Sequence, residues 1–145
     1  MAERAEGSTE IRASPSQVMA VIADFEAYPE WVANLRQATV LARDRRGRGT
    51  RVAFRLATPF GDQAYTLAYR YRPADAGVSW TYVEGTLEDL SGAYTLEPAG
   101  DGATRVTYEL QVGLGRPIPG FLMRQAAGQI VRSALGDLKR RVESG

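Results

Sequence analysis

The 145-residue sequence predicts one α+β domain: a seven-stranded antiparallel sheet, two short helices after the first strand, and one long C-terminal helix. Three observations carry this. From about residue 35 to 113 apolar and polar residues alternate with period two. Turn clusters interrupt that alternation at hairpin spacing. The segment from about Pro117 to Glu143 then returns to helical periodicity.

Taken in order, Thr9, Ile11 and Ala13 alternate with Glu10 and Arg12, a short first strand. Ser14-Pro15-Ser16-Gln17 follows as a helix start: Ser14 caps, Pro15 suits the first helical position, and Gln17 stands where a capping box needs it. Val18, Met19, Val21, Ile22 and Phe25 form the apolar stripe of that helix. Tyr28-Pro29 breaks it, and Pro29-Glu30-Trp31-Val32 opens a second short helix. Punctuators at Gly47–Gly49, Pro59–Asp62, Pro73–Gly77, Gly85-Thr86 and Pro98–Gly102 cut the next region into six strands. Their short connections favour an antiparallel meander. In the last helix Met123, Ala127, Ile130, Val131, Ala134, Leu138 and Val142 fall on one face, with Gln125, Gln129, Arg132 and Arg140 opposite. At 1.5 Å per residue it is about 37 Å long, enough to cross a sheet. A single domain of residues 1–145 is expected.

Composition narrows the chemistry. Hydrophobic residues make up 44% and charged residues 24%, the balance of a globular domain. The absence of cysteine and histidine removes thiol nucleophiles, disulfides, zinc fingers, haem–histidine ligation and Ser-His-Asp relays. No metal or cofactor is expected. A net charge of +1 gives no general attraction to nucleic acid or anionic membrane. The polar Met1–Glu10 segment has no apolar signal core, and no stretch is long and apolar enough to span a bilayer. A cytoplasmic protein, monomer or homodimer, is the expectation.

Alternation assigns each strand two faces. Val52, Phe54 and Leu56 share one side; so do Tyr65, Leu67, Tyr69 and Tyr71 on the next strand, and Val78, Trp80 and Tyr82 on the one after. Leu90, Tyr94 and Leu96, then Val106, Tyr108, Leu110 and Val112, complete it. This face is rich in tyrosine and tryptophan, whose polar tips need partners that an aliphatic core does not supply. A curved sheet under one long helix leaves room for a pocket lined by aromatic bodies.

The run Ser14-Pro15-Ser16-Gln17-Val18, then Asp24-Phe25-Glu26-Ala27-Tyr28-Pro29-Glu30-Trp31, resembles the opening of the START-like (SRPBCC) superfamily, with its polyketide cyclase/dehydrase and coenzyme-Q-binding-protein-like branches. Gly92-Ala93-Tyr94-Thr95-Leu96, the Thr104–Tyr108 strand and the terminal helix fit the same scheme. The resemblance implies a helix-grip fold, in which the sheet wraps the C-terminal helix around a cavity for lipids, polyketides or other hydrophobic ligands. Some members catalyse cyclisation or aromatisation there. The residues expected to line the cavity are Trp31, Phe54, Tyr65, Leu67, Tyr69 and Trp80, with Tyr82, Tyr94, Tyr108, Phe121 and Met123. Loop 114–120 is the expected hinge.

The cyclase pattern is incomplete. Where aromatase/cyclases carry an inward arginine, the strand spanning 63–72 carries Tyr65, Tyr69 and Tyr71 inward, with Arg70 and Arg72 out of phase. An inward helix asparagine has its counterpart at Gly128, and an inward tyrosine falls at about Leu35. Glu84 beside Gly85 reads as a solvated carboxylate, and Arg43, Arg45, Arg46, Arg48 and Arg51, gathered with Asp44, read as a solvated turn. The favoured function is binding of a hydrophobic or aromatic small molecule. The alternatives are a polyketide cyclase or aromatase in the same cavity, and a protein-interaction module whose cavity is filled by its own aromatics.

Overall fold

The structure is a computed structural model that describes residues 3–58, 61–115 and 117–144. The chain runs β1 (Glu3–Ile11), α1 (Pro15–Ile22), a 3-10 helix (Phe25–Glu30), β2 (Leu35–Arg43), β3 (Gly49–Thr58), β4 (Gly61–Tyr71), a 3-10 turn (Pro73–Asp75), β5 (Gly77–Gly85), β6 (Asp89–Pro98), β7 (Thr104–Gly113) and α2 (Gly120–Ser144). Seven strands form one sheet in the order β1-β7-β6-β5-β4-β3-β2. Every neighbouring pair is antiparallel, as the short connections predict. Pro59 and Phe60 of one predicted turn, and Arg116 of the predicted hinge, lie outside the described residues.

The capping box forms as expected. Gln17 donates its backbone N–H to Ser14 Oγ at 3.2 Å, and Ser14 donates its own to Gln17 Oε1 at 2.9 Å. Val18, Met19 and Ile22 are the buried face of α1. The second helix differs from the expectation: it begins at Phe25, is 3-10 in type, and contains Pro29 near its end. Phe25 is almost fully buried, and its insertion into the core fixes that start.

The first strand is also longer than predicted. It begins at Glu3 and ends at Ile11, leaving Ala13 outside, and it pairs without a break from Glu3↔Val112 to Ile11↔Thr104. Its inward positions before Ile11 are Glu3, Ala5, Gly7 and Thr9, small or polar residues that carry no apolar alternation. Close helix packing explains the glycine. A Cβ at Gly7 would lie 2.9 Å from Val131 Cγ1 and 3.3 Å from Leu135 Cδ1.

Helix α2 starts at Gly120, three residues later than predicted. Ile118 precedes a proline and is disfavoured in helical backbone. The Pro119 carbonyl instead accepts from the N–H groups of Leu122 and Met123, at 3.0 and 3.2 Å. Met123, Ala127, Val131, Leu135 and Leu138 form the buried stripe, joined by Asp137. Ile130 was expected on that stripe but is 36% exposed. The helix packs on β1 and β7, while the 3-10 helix packs against β2. One core cluster joins the sheet, α1 and α2.

Candidate functional site

The inner sheet face carries a continuous set of rings. Register places Tyr69 on β4 opposite Trp80 on β5, and Tyr94 on β6 opposite Tyr108 on β7. Ring centroids lie 5.8 Å apart for Tyr69 and Trp80, 5.6 Å for Trp80 and Tyr94, and 4.7 Å for Tyr94 and Tyr108. Gly92 makes room for the indole across the strand pair: a Cβ there would stand 2.8 Å from Trp80 Cζ2. From the other side Phe25 stacks 4.5 Å from Tyr69, and Phe54 sits 5.5 Å from Tyr65. These contacts suit offset and edge-on aromatic packing.

The seven tyrosines divide by what their hydroxyls do. Tyr28 donates to the Ile22 carbonyl, Tyr71 to the Gly49 carbonyl at 2.7 Å, and Tyr82 to the Leu87 carbonyl at 2.7 Å. Tyr82 also accepts from the Leu87 N–H at 3.2 Å, so its hydroxyl is committed to the β5–β6 turn. The hydroxyls of Tyr65, Tyr69, Tyr94 and Tyr108 make no hydrogen bond to protein among the described residues. Yet no sealed side-chain oxygen or nitrogen among those residues lacks a partner. Each of these four oxygens therefore borders space that a water-sized molecule reaches.

Burial pushes the pKa of all four phenols up, and like-charge repulsion among phenolates adds to the rise at Tyr69, Tyr94 and Tyr108. Tyr69 feels Tyr28, Tyr65, Tyr108 and Tyr94, which puts all these hydroxyls in one neighbourhood. It keeps some accessible surface although protein surrounds its phenol closely.

Most of the predicted lining residues converge here. Phe54, Tyr65, Leu67, Trp80, Tyr94, Tyr108 and Met123 are buried in the core. Tyr69 and Tyr82 are half-buried against it, as is Trp31, which meets Tyr28 edge-on at 4.9 Å. Phe121 is the correction. It projects from the first turn of α2 and is 62% exposed, because two residues at about 100° each put it on the far side of the helix from buried Met123.

Three residues were missed. Tyr28 read as a helix breaker, but its ring lies 6.1 Å from Phe54 and belongs to the cluster. Gln63 is buried at the start of β4, where it accepts from the Thr86 hydroxyl at 2.6 Å. Asp137 is buried on α2; it accepts from the Ala33 N–H at 3.0 Å and pairs with Arg140. Only the inward phase of β4 pointed to Gln63, and no sequence signal set Asp137 apart.

The charged candidates stand outside. Arg70, Arg72 and Glu84 are exposed. At the basic hairpin Asp44 accepts from the Arg46 and Arg48 N–H groups, both at 2.9 Å, and Arg48 lies 4.2 Å over the Tyr71 ring. That arrangement is a braced turn. Two open grooves of about 310 and 390 Å³ have mixed linings: Gln37, Arg55 and Glu84 with Phe54 and Tyr65 in the first, and Arg4, Glu109 and Gln111 with Leu110 in the second. Among the described residues no three acidic side chains gather as a metal site, and no helix is long and apolar enough to cross a membrane.

An antiparallel sheet gripping a C-terminal helix, with an aromatic inner face, defines a START-like protein. Residues 11–139 match the family model described as polyketide cyclase / dehydrase and lipid transport, and the chain belongs to that family. A START superfamily protein from Mycobacterium smegmatis is similar over 97% of both chains, with TM-score 0.89 and 22% identity. An aromatase/cyclase from Streptomyces sp. R1128 is similar over 98% of this chain and 96% of its own, with TM-score 0.72 and 15% identity. A STAR-related lipid transfer protein fragment from Xanthomonas axonopodis gives TM-score 0.75 and 19% identity, over 96% and 85% of the two chains. No curated protein matches the sequence. These likenesses establish the fold; the family holds aromatase/cyclases and non-enzymatic lipid-binding proteins alike.

Proposed function

We propose that the protein binds a hydrophobic or aromatic small molecule in a chamber between the inner sheet face and α2. The observation that carries this reading is the group of four tyrosine hydroxyls, Tyr65, Tyr69, Tyr94 and Tyr108, that border water-sized space without a protein partner. In a filled core each would cost about 1–3 kcal/mol unless bonded. Trp80, Phe54, Leu67 and Met123 supply the apolar enclosure around them. Loop 114–120 joins the sheet to α2 and is the proposed hinge for entry.

Binding is favoured over catalysis because the ionisable groups are in the wrong place. Arg70, Arg72 and Glu84 are exposed, so neither a cation to polarise a carbonyl nor a carboxylate base faces the rings from these positions.

Native mass spectrometry of the purified protein beside its denatured mass tests the reading. The expected result is a co-purifying species of roughly a few hundred daltons, or a thermal shift with neutral aromatic compounds. A clean apo mass with no shift against fatty acids, quinones or aromatic polyketides overturns it. The rings would then be core, and the protein-interaction reading would take its place.

A further inference from the structure

The same chamber has a charge character, and it follows from which polar groups are buried. Among the described residues the buried polar side chains are Gln63, Thr66, Thr104 and Asp137; no arginine or lysine is buried. Thr104 is occupied, donating to the Ala13 carbonyl at 2.6 Å. Thr66 pairs with outward-facing Glu84 across β4 and β5, on the other sheet face. What remains toward the rings is the four phenols that make no hydrogen bond with protein; Gln63 is held by Thr86 and Gly61, and the Asp137 carboxylate by the Ala33 N–H and Arg140. Arg140 pairs with that carboxylate from an exposed position, so its guanidinium is on the solvent side.

A ligand entering this space meets hydrogen-bond donors and apolar rings and, among the described residues, no buried positive charge. An ionised carboxylate would lose its water and gain no cation in return. A carbonyl oxygen carries no such cost and accepts directly from a phenol. Flat rings suit the offset surfaces of Trp80, Tyr94 and Tyr108, whose centroids lie within 5.6 Å of one another.

Resting on the binding function proposed above, we infer that the site takes a neutral aromatic molecule bearing carbonyl oxygens and rejects ionised carboxylates of the same shape. Selection is by charge and hydrogen-bond donation, with Tyr94 and Tyr108 as the principal donors.

Three probes of nearly identical shape separate the possibilities: 2-acetylnaphthalene, 2-naphthoate and 2-isopropenylnaphthalene. Equilibrium dialysis against the full chain at neutral pH gives their relative affinities. The ketone is expected to bind about tenfold more tightly than the hydrocarbon, and about 100-fold more tightly than the carboxylate. A Tyr94→Phe, Tyr108→Phe double variant keeps both rings, and its folding is checked by circular dichroism. It should erase the advantage of the ketone over the hydrocarbon while leaving the hydrocarbon's own affinity unchanged. Carboxylate binding equal to or tighter than the ketone overturns the inference and leaves the binding chamber standing. So does a ketone preference that survives the double variant. Failure of all three probes overturns both.

Discussion

Beneath α2 the edge strand of the sheet is small and largely aliphatic; from the neighbouring strand onward the inner face is aromatic. On β1 the inward residues Ala5, Gly7, Thr9 and Ile11 let the helix approach until Val131 Cγ1 would stand 2.9 Å from a Cβ at Gly7. Leu138 and Ala127 are fully buried on the helix itself. On β4 to β7 the inward residues include Tyr65, Tyr69, Trp80, Tyr94 and Tyr108, four of which carry hydroxyls the protein does not bond. The β1 side carries no tyrosine hydroxyl and closes on dispersion contacts. The aromatic side cannot close in that way, because sealing it would strand four hydroxyls. One half of the core is built to hold the helix; the proposed chamber lies on the other.

The contrast breaks most sharply at high pH. All seven tyrosines have pKa values above the ordinary 10.0, Tyr71 pushed up to about 12, with burial the leading cause in each. In the unfolded chain they ionise near 10, so above that pH the unfolded state holds fewer protons and stability falls. The contribution is complete below pH 10 and is lost as pH rises toward the folded values. Tyr65, Tyr69, Tyr94 and Tyr108 together should remove roughly 1.4 kcal/mol per pH unit each. Phenolate absorbance should therefore rise in one cooperative step with the loss of circular dichroism. A separate, earlier titration of several tyrosines would show that the rings are not buried.

Leu138→Ala comes next. A fully buried leucine on the closed side should cost about 3 kcal/mol in denaturant unfolding, because the packed helix cannot collapse into the hole. Tyr28→Phe should cost about 1 kcal/mol by the same measurement, since the Ile22 carbonyl loses its donor. Tyr94→Phe should be the smallest, within about 0.5 kcal/mol of wild type, because no protein partner is lost. If Tyr94→Phe cost as much as Tyr28→Phe, the division between bonded and free phenols would not hold.

The sheet and its turns were legible because one face is apolar and the connections are glycine- and proline-marked, down to the capping box at Ser14. The first half of β1 was not, since Ala5 and Gly7 are small for helix packing and so erase the alternation that marks a strand. The aromatic face was read residue by residue, but alternation gives direction only as far as Cβ. It could not tell that Tyr82 turns its hydroxyl to Leu87 while Tyr108 keeps its own free. Phe121 and Ile130 were misplaced because the buried stripe centres on Ala127, Val131 and Leu138, which leaves both at its margins, and periodicity alone does not fix that centre. Asp137 holds the backbone of Ala33, a hundred residues away in the chain, a partnership that no local pattern records.

The most direct measurement is a high-resolution crystal structure of the purified protein, read at the hydroxyls of Tyr65, Tyr69, Tyr94 and Tyr108. The result expected is ordered solvent or ligand density at hydrogen-bond distance, about 2.6–3.2 Å, from these oxygens, lying between the sheet and α2. Hydroxyls bonded to one another or to backbone carbonyls, with side chains filling the intervening space, would contradict the chamber and leave the aromatic face a core.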